Sequence, residues 1–174
     1  MQSLSIDMDE VITDTAGRLR ECYQRDYGIE IQASDLYGKS MREAVNPDHC
    51  SCFSGYLNAP GFFSDLDIMC DAENVLKRLN EKYELYIVSA ATEFPNSLLD
   101  KLNWITERLP FITWRQVCLC GSKSIIQTDI MIDDRTRNFS NFNGRKILYT
   151  AHHNVLETGY ERVANWQEIA AKLL

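Results

Sequence analysis

The 174-residue sequence lacks several things. No apolar run approaches the about 20 residues that span a bilayer, and the N-terminus has no basic stretch leading into an apolar one. The expectation is a cytoplasmic protein with no membrane partner. A surplus of positive charge is also missing. Eighteen Lys and Arg against 25 Asp and Glu leave a net charge of -7, which excludes a nucleic-acid polymer or an anionic lipid surface as a non-specific partner. A small anionic substrate stays compatible, because the local field of a site can oppose the global charge. Internal repeats and low-complexity segments are absent too. The six cysteines do not show zinc spacing: Cys50 and Cys52, beside His49, and Cys118 and Cys120 are C-x-C pairs, whereas zinc sites typically use C-x₂₋₄-C. They read as free thiols, with zinc or a disulfide as lesser readings.

What is present is an ordinary globular composition, 45% hydrophobic and 25% charged, in a chain long enough for one cored domain with a small insertion. Ser3–Met8 reads as a strand. Leu19, Cys22, Tyr23 and Tyr27 stand at helical spacing over 14–27, and Gly28 ends that helix. Residues 29–64 hold Gly38, Pro47, Gly55, Pro60 and Gly61 and read as short helices and loops. A helix is expected over 71–82, a buried strand over 84–89, a helix over 96–108 with Leu98, Leu99, Leu102, Trp104 and Ile105, and a short strand over 116–119. The run Ile130-Met131-Ile132 makes another buried strand that ends in two acids, 145–149 is expected to be the last strand, and 166–174 a closing helix. Strands alternating with helices predict an α/β fold, a Rossmann-like parallel sheet sandwiched by helices. Its core comprises residues 1–14 and 74–174, with a small helical cap inserted at 15–73.

In such a sheet the active site forms at the C-terminal ends of the strands. Asp7 and Asp9, Ser89, and Asp133 and Asp134 all fall there, and Lys123 lies just beyond a short strand. Clustered carboxylates repel one another, so a positive group belongs among them. A hard divalent cation with oxygen ligands fits, most naturally Mg²⁺. Lys123 adds a fixed positive charge for a phosphoryl group and Ser89 a hydroxyl donor. One aspartate can attack phosphorus and another can exchange the proton. These side chains together suffice for a phosphomonoester hydrolase. Taken singly, each has a plainer reading: a strand-end or turn aspartate, a helix-capping serine, a solvated lysine. Asp129 is expected to support the fold, His49 to sit in a surface loop, and His152 and His153 to have no catalytic role.

The ordered set Asp7-Met8-Asp9-Glu10-Val11-Ile12, Pro60-Gly61-Phe62-Phe63, Ile87-Val88-Ser89, Lys123 and Asp133-Asp134-Arg135 resembles the 5′(3′)-deoxyribonucleotidase family of the haloacid dehalogenase superfamily. The tail with Ile147-Leu148-Tyr149, His153-Asn154, Arg162-Val163 and Trp166 is similar as well, so the likeness runs over nearly the whole chain. The resemblance implies that Asp7 is the nucleophile and a magnesium ligand. It makes Asp9 the general acid and base, with its backbone carbonyl on the metal, Asp133 the third protein ligand, and Asp134 a support behind them. Ser89, the backbone N–H of Ala90, and Lys123 hold the phosphate. Phe62 and Phe63 are candidates for the substrate pocket. The implied substrate is a deoxyribonucleoside monophosphate. Two positions depart from the family: Glu10 stands where relatives commonly have Gly, and Thr15 where they tend to have an aromatic. A phosphatase for a sugar phosphate or other small metabolite is the nearest rival reading, and a non-catalytic phosphate-binding module is a rival of another class. The oligomeric state, a homodimer included, stays open.

Overall fold

The computed structural model describes residues 1–174. Six strands form one sheet: β1 (Ser3–Asp7), β2 (Glu84–Ser89), β3 (Val117–Leu119), β4 (Ile130–Asp133), β5 (Arg145–Tyr149) and β6 (Glu161–Val163). Their order is β3-β2-β1-β4-β5-β6, and every neighbouring pair is parallel. The α/β parallel sheet expected from the sequence is therefore present, with β6 as an additional edge strand beyond β5.

The alternation of side chains along the strands sets the layers. Leu4, Ile6, Leu85, Ile87, Ile130, Ile132 and Ile147 point to one face. There they meet Val75, Leu76 and Leu79 of α4 (Ala72–Lys82), Trp104 and Ile105 of α5 (Ser97–Arg108), and Trp166, Ile169 and Leu173 of α6 (Trp166–Leu173). These residues form the main core, in which each fully buried aliphatic side chain stabilises the fold by roughly 1.5–3 kcal/mol. On the opposite face Met131 and Leu148 pack with Phe139 and Phe142. The cover there is made by 3₁₀ turns at 123–125 and 136–139 rather than by full helices.

Between β1 and α4 the chain folds a second apolar cluster. Helix α1 (Thr15–Tyr27) starts where the Asp14 side chain accepts the Gly17 N–H, and it stops at Gly28, whose φ of 68° suits a residue without a Cβ. Its Leu19, Cys22 and Tyr23 pack with Ile31, Leu36, Met41, Phe53, Phe63 and Leu66. Two short helices, α2 (Met41–Ala44) and α3 (Cys52–Asn58), supply part of this wall. His49, expected in a surface loop, has its Nδ1 2.8 Å from the Tyr23 hydroxyl, and its ring stacks on Tyr27. All six cysteines are free thiols.

The strand order reverses between β1 and β4, since the chain builds β2 and β3 on one side of β1 and β4 to β6 on the other. A crevice opens outside the strand ends at such a reversal. Ile6 pairs with Ile132, so Asp7 and Asp133 leave the sheet side by side at that point. No helix is long and apolar enough to cross a membrane.

Candidate active site

Burial and charge define the centre. Asp7, Asp133 and Asp134 are all buried, and each offers a carboxylate oxygen within 4.8 Å of the others. Lys123 sits among them, its ammonium 2.6 Å from Asp7 Oδ1 and 2.7 Å from Asp133 Oδ2. Burial raises the Asp7 pKa to about 6; Lys123 pulls it down, and Asp133 and Asp9 push it up. Asp134 is raised well above the usual carboxylate range, first by burial and then by Asp7 and Asp133. Burial opposes the charge of Lys123, but Asp7 and Asp133 outweigh it and the pKa is raised. A hard cation would relieve this concentration of buried oxygen donors, and the all-oxygen set fits a divalent ion of the Mg²⁺ type. Asp134, expected as support behind the ligands, stands within the same cluster.

Asp9 lies one turn farther out, 31% exposed at its side chain. Its Oδ1 accepts from the Thr15 hydroxyl at 3.3 Å, and its Oδ2 from Ser89 Oγ at 3.4 Å. A residue missed at the level of sequence completes this group. Lys101 of α5 reaches Asp9 Oδ2 at 2.5 Å and Ser89 Oγ at 2.9 Å, and it lies over the Phe63 ring at 4.4 Å. Only 1% of Lys101 is exposed. The available signal was its register: Ser97, Lys101, Trp104 and Ile105 are the buried residues of α5 and stand at i, i+4, i+7 and i+8.

The loop after β4 holds the acidic pair. Asp133 Oδ1 accepts the Arg135 N–H at 2.8 Å, and Asn138 donates to both oxygens of Asp133 at 2.9 and 3.0 Å. Asn138 is a second residue that sequence reasoning did not assign. His153 Nε2 lies 3.3 Å from Asp134 Oδ2, and Asn154 donates to the Asp134 carbonyl at 2.8 Å. Burial, followed by the charge of Arg135, lowers the His153 pKa to about 4, so this ring is neutral where the carboxylates are charged. Asp129 Oδ2 accepts from the Ser3 N–H and hydroxyl at 2.7 and 2.8 Å, the supporting role expected of it.

A cavity of about 260 Å³ opens between this edge and the α1–α3 wall. Asp7, Asp9, Lys123, Ala90 and Lys101 line it from the sheet side, and Phe53 and Phe63 from the other. Of the two candidate pocket aromatics, Phe63 lines the cavity. Phe62 is buried in the cluster behind it and does not, its ring lying edge-on to Phe63. Asp7, Asp9, Ser89, Lys123, Asp133 and Asp134 are thus gathered at one edge of the sheet.

The family model described as "5′ nucleotidase, deoxy (Pyrimidine), cytosolic type C protein" matches residues 1–174. A putative 5′(3′)-deoxyribonucleotidase of Staphylococcus epidermidis is 39% identical over 168 residues, covering 97% of this chain and 93% of the relative. A 5′(3′)-deoxyribonucleotidase of Bacillus subtilis is 49% identical over 112 residues, 64% of this chain and 65% of that one. Among solved structures, a haloacid dehalogenase-like hydrolase from Streptococcus pneumoniae superposes with a TM-score of 0.64 at 13% identity, covering 100% of this chain and 99% of that one. A haloacid dehalogenase-superfamily hydrolase from Geobacter sulfurreducens gives 0.60 at 10% identity over 99% and 100% of the two chains. These two likenesses are of fold.

Proposed function

The chain belongs to the 5′(3′)-deoxyribonucleotidase family, enzymes of the phosphatase and nucleotidase type, and on that premise we propose that it is a haloacid dehalogenase-like hydrolase that cleaves deoxyribonucleoside 5′- or 3′-monophosphates through an aspartyl-phosphate. The observation that carries the reading is the placement of Asp7 and Asp133 at adjacent strand ends with the Lys123 ammonium between them.

In the proposed reaction an Asp7 oxygen attacks phosphorus in line. The new O–P bond forms as the ester P–O bond breaks, and the departing sugar oxygen takes a proton from Asp9. Water then attacks the aspartyl-phosphate, giving its proton back to Asp9. Inorganic phosphate leaves and the Asp7 carboxylate is restored. Lys123, Ser89 and the backbone N–H of Ala90 hold the phosphoryl oxygens, where charge spreads during transfer. Lys101 and Thr15 hold Asp9 in place for both proton transfers. Asp7, Asp133 and the backbone carbonyl of Asp9, with Asp134 against them, would hold Mg²⁺. When bound, that ion supplies positive charge opposite the phosphoryl oxygens. Residues 15–73 act as a cap, with Phe63 and Phe53 forming an apolar wall for the base.

The test is kcat/KM across a panel of deoxynucleoside monophosphates, ribonucleotides and sugar phosphates, with an aryl phosphate as reference, each with and without Mg²⁺. Preference for deoxynucleotides supports the proposal. Preference for a sugar phosphate moves the substrate to another metabolite, and no turnover of any phosphomonoester rejects the catalytic reading.

A further inference from the structure

One carboxyl group in the cavity is not used by the hydrolytic steps. Glu10 follows Asp9 directly and has a φ of 63°, a left-handed conformation that residues with a Cβ adopt at a cost. Backbone bonds set that conformation. The Glu10 N–H donates to the Thr13 carbonyl at 2.9 Å, and the Thr13 N–H to the Met8 carbonyl at 3.0 Å. The turn therefore asks for glycine and carries a glutamate instead.

The side chain is 12% exposed and folds over the start of α1, where Oε1 accepts the Ala16 N–H. No hydrogen bond reaches Oε2. Its nearest cation-capable neighbour is His152 Nδ1 at 3.7 Å, beyond hydrogen-bond range. Burial, then the adjacent His153, lowers the His152 pKa to about 4, so at neutral pH no ion pair forms either. Glu10 lines the same cavity as Asp7, Asp9 and Lys123. One oxygen is fixed by the protein and the other is presented to whatever enters.

The chemistry of that oxygen limits its partner. Arg135 acts on Glu10 as well as Asp9 and Asp14, and Arg42, Arg135 and Arg137 line the same cavity, so an anionic group of a ligand pairs with those cations and not with this carboxyl. An apolar group would leave the oxygen unpaired at a cost. A hydroxyl, which both donates and accepts, pairs with a carboxyl in either protonation state. Glu10 lines the cavity together with Asp9, the residue proposed to protonate the departing oxygen, so the partner considered is a hydroxyl of the leaving alcohol. We propose that Glu10 is a specificity-determining residue that hydrogen-bonds the free sugar hydroxyl of the substrate. This rests on the deoxynucleotide reading above.

The experiment compares thymidine 5′-monophosphate with its 3′-deoxy analogue, or the 3′-monophosphate with its 5′-deoxy analogue if that isomer is the one hydrolysed. Thymine has no exocyclic amine to serve as a competing donor. For the parent enzyme, loss of the hydroxyl is expected to lower kcat/KM by roughly 10- to 100-fold. For Glu10→Gly, which suits the backbone, the ratio between the two substrates falls to within about 3-fold of unity, and Glu10→Gln lies between. Turnover of an aryl phosphate reports that each variant is folded. A ratio already near unity in the parent, or unchanged in Glu10→Gly, overturns the role of Glu10 alone. An enzyme that hydrolyses the aryl phosphate and neither nucleotide overturns the deoxynucleotide reading and this inference with it.

Discussion

The ammonium of Lys123 lies 2.6 Å from one oxygen of Asp7 and joins it to Asp133, so one cation from the turn after β3 offsets part of the charge that β1 and β4 bring inside the protein. None of these side chains is more than 8% exposed. Removing one partner of such a pair is costly when it strands a charge. Removing Asp7 does not, because Asp133 still pairs with Lys123.

Asp7→Asn is therefore expected to separate chemistry from folding. Asparagine cannot form the acyl phosphate, so turnover should fall by about 10³-fold or more. The sign of the stability effect follows from the Asp7 pKa, raised from 3.8 to about 6 by burial. A carboxyl raised in the fold contributes stability below pH 3.8 and loses it as pH climbs through about 6. At pH 7 in chelator, the variant should melt no lower than the parent. Undiminished activity in the pure variant rejects Asp7 as nucleophile.

A divalent cation should stabilise the folded protein, because it binds the native carboxylates and not the unfolded chain. Saturating Mg²⁺ is expected to raise the melting temperature by roughly 4–8 °C, in line with about 2–3 kcal/mol of linkage. Asp133→Asn should lose most of that rise, and chelator should abolish turnover of the parent reversibly. A parent protein whose melting curve ignores Mg²⁺ and Mn²⁺, and which turns over in chelator, has no such site.

Strands β1, β2 and β4 were legible because each holds apolar residues and ends in a polar group at the reacting edge, Asp7, Ser89 and Asp133, and β5 by its apolar end Ile147-Leu148-Tyr149. Strand β6 was not. Of Glu161, Arg162 and Val163 only Val163 is buried, and pairing with β5, not composition, makes the segment extended. Lys101 was overlooked for a different reason. The apolar spacing of 96–108 pointed to Leu99 and Leu102, yet these are 65% and 39% exposed, while Ser97 and Lys101 face inward. The start of α5 abuts Asp9 and Ser89, so the inward face there must be polar, and burial no longer tracks hydrophobicity. The same locality explains Asp134 and Asn138. Their roles depend on how tightly the loop after β4 curls over Asp133, which spacing along the chain does not convey.

Lys101→Met keeps most of the apolar contact with Phe63 and removes the charge beside Asp9. Asp9 is 31% exposed, so water relieves part of the loss, and a destabilisation of about 1–3 kcal/mol is expected in chemical denaturation. Losing the donor that fixes the Asp9 carboxylate should lower kcat by about 10- to 10³-fold, with a smaller change in KM. A kcat within twofold of the parent would show that Lys101 serves the fold only.

The far edge of the sheet gives a pH-dependent prediction independent of any metal. Glu161 on β6 takes two bonds from Arg145 on β5, at 2.7 and 2.8 Å, and lies 3.1 Å from Lys172 of α6. The Arg145 hydrogen bonds, aided by Lys172, hold its pKa down at about 2 against an ordinary 4.5. A carboxyl depressed in the fold contributes stability above pH 4.5 and loses it as pH falls through about 2. The partners are partly exposed, so Glu161→Gln should cost only about 0.5–1 kcal/mol at pH 7. Denaturant titrations of parent and variant should converge between pH 4.5 and pH 2. The effect bears on the active site through the next residue: Arg162 donates to Asn154 Oδ1 at 2.8 Å, and Asn154 in turn donates to the Asp134 carbonyl. A stability gap that is the same at pH 3 as at pH 7 would mean that the β5–β6 ion pair does not hold this edge.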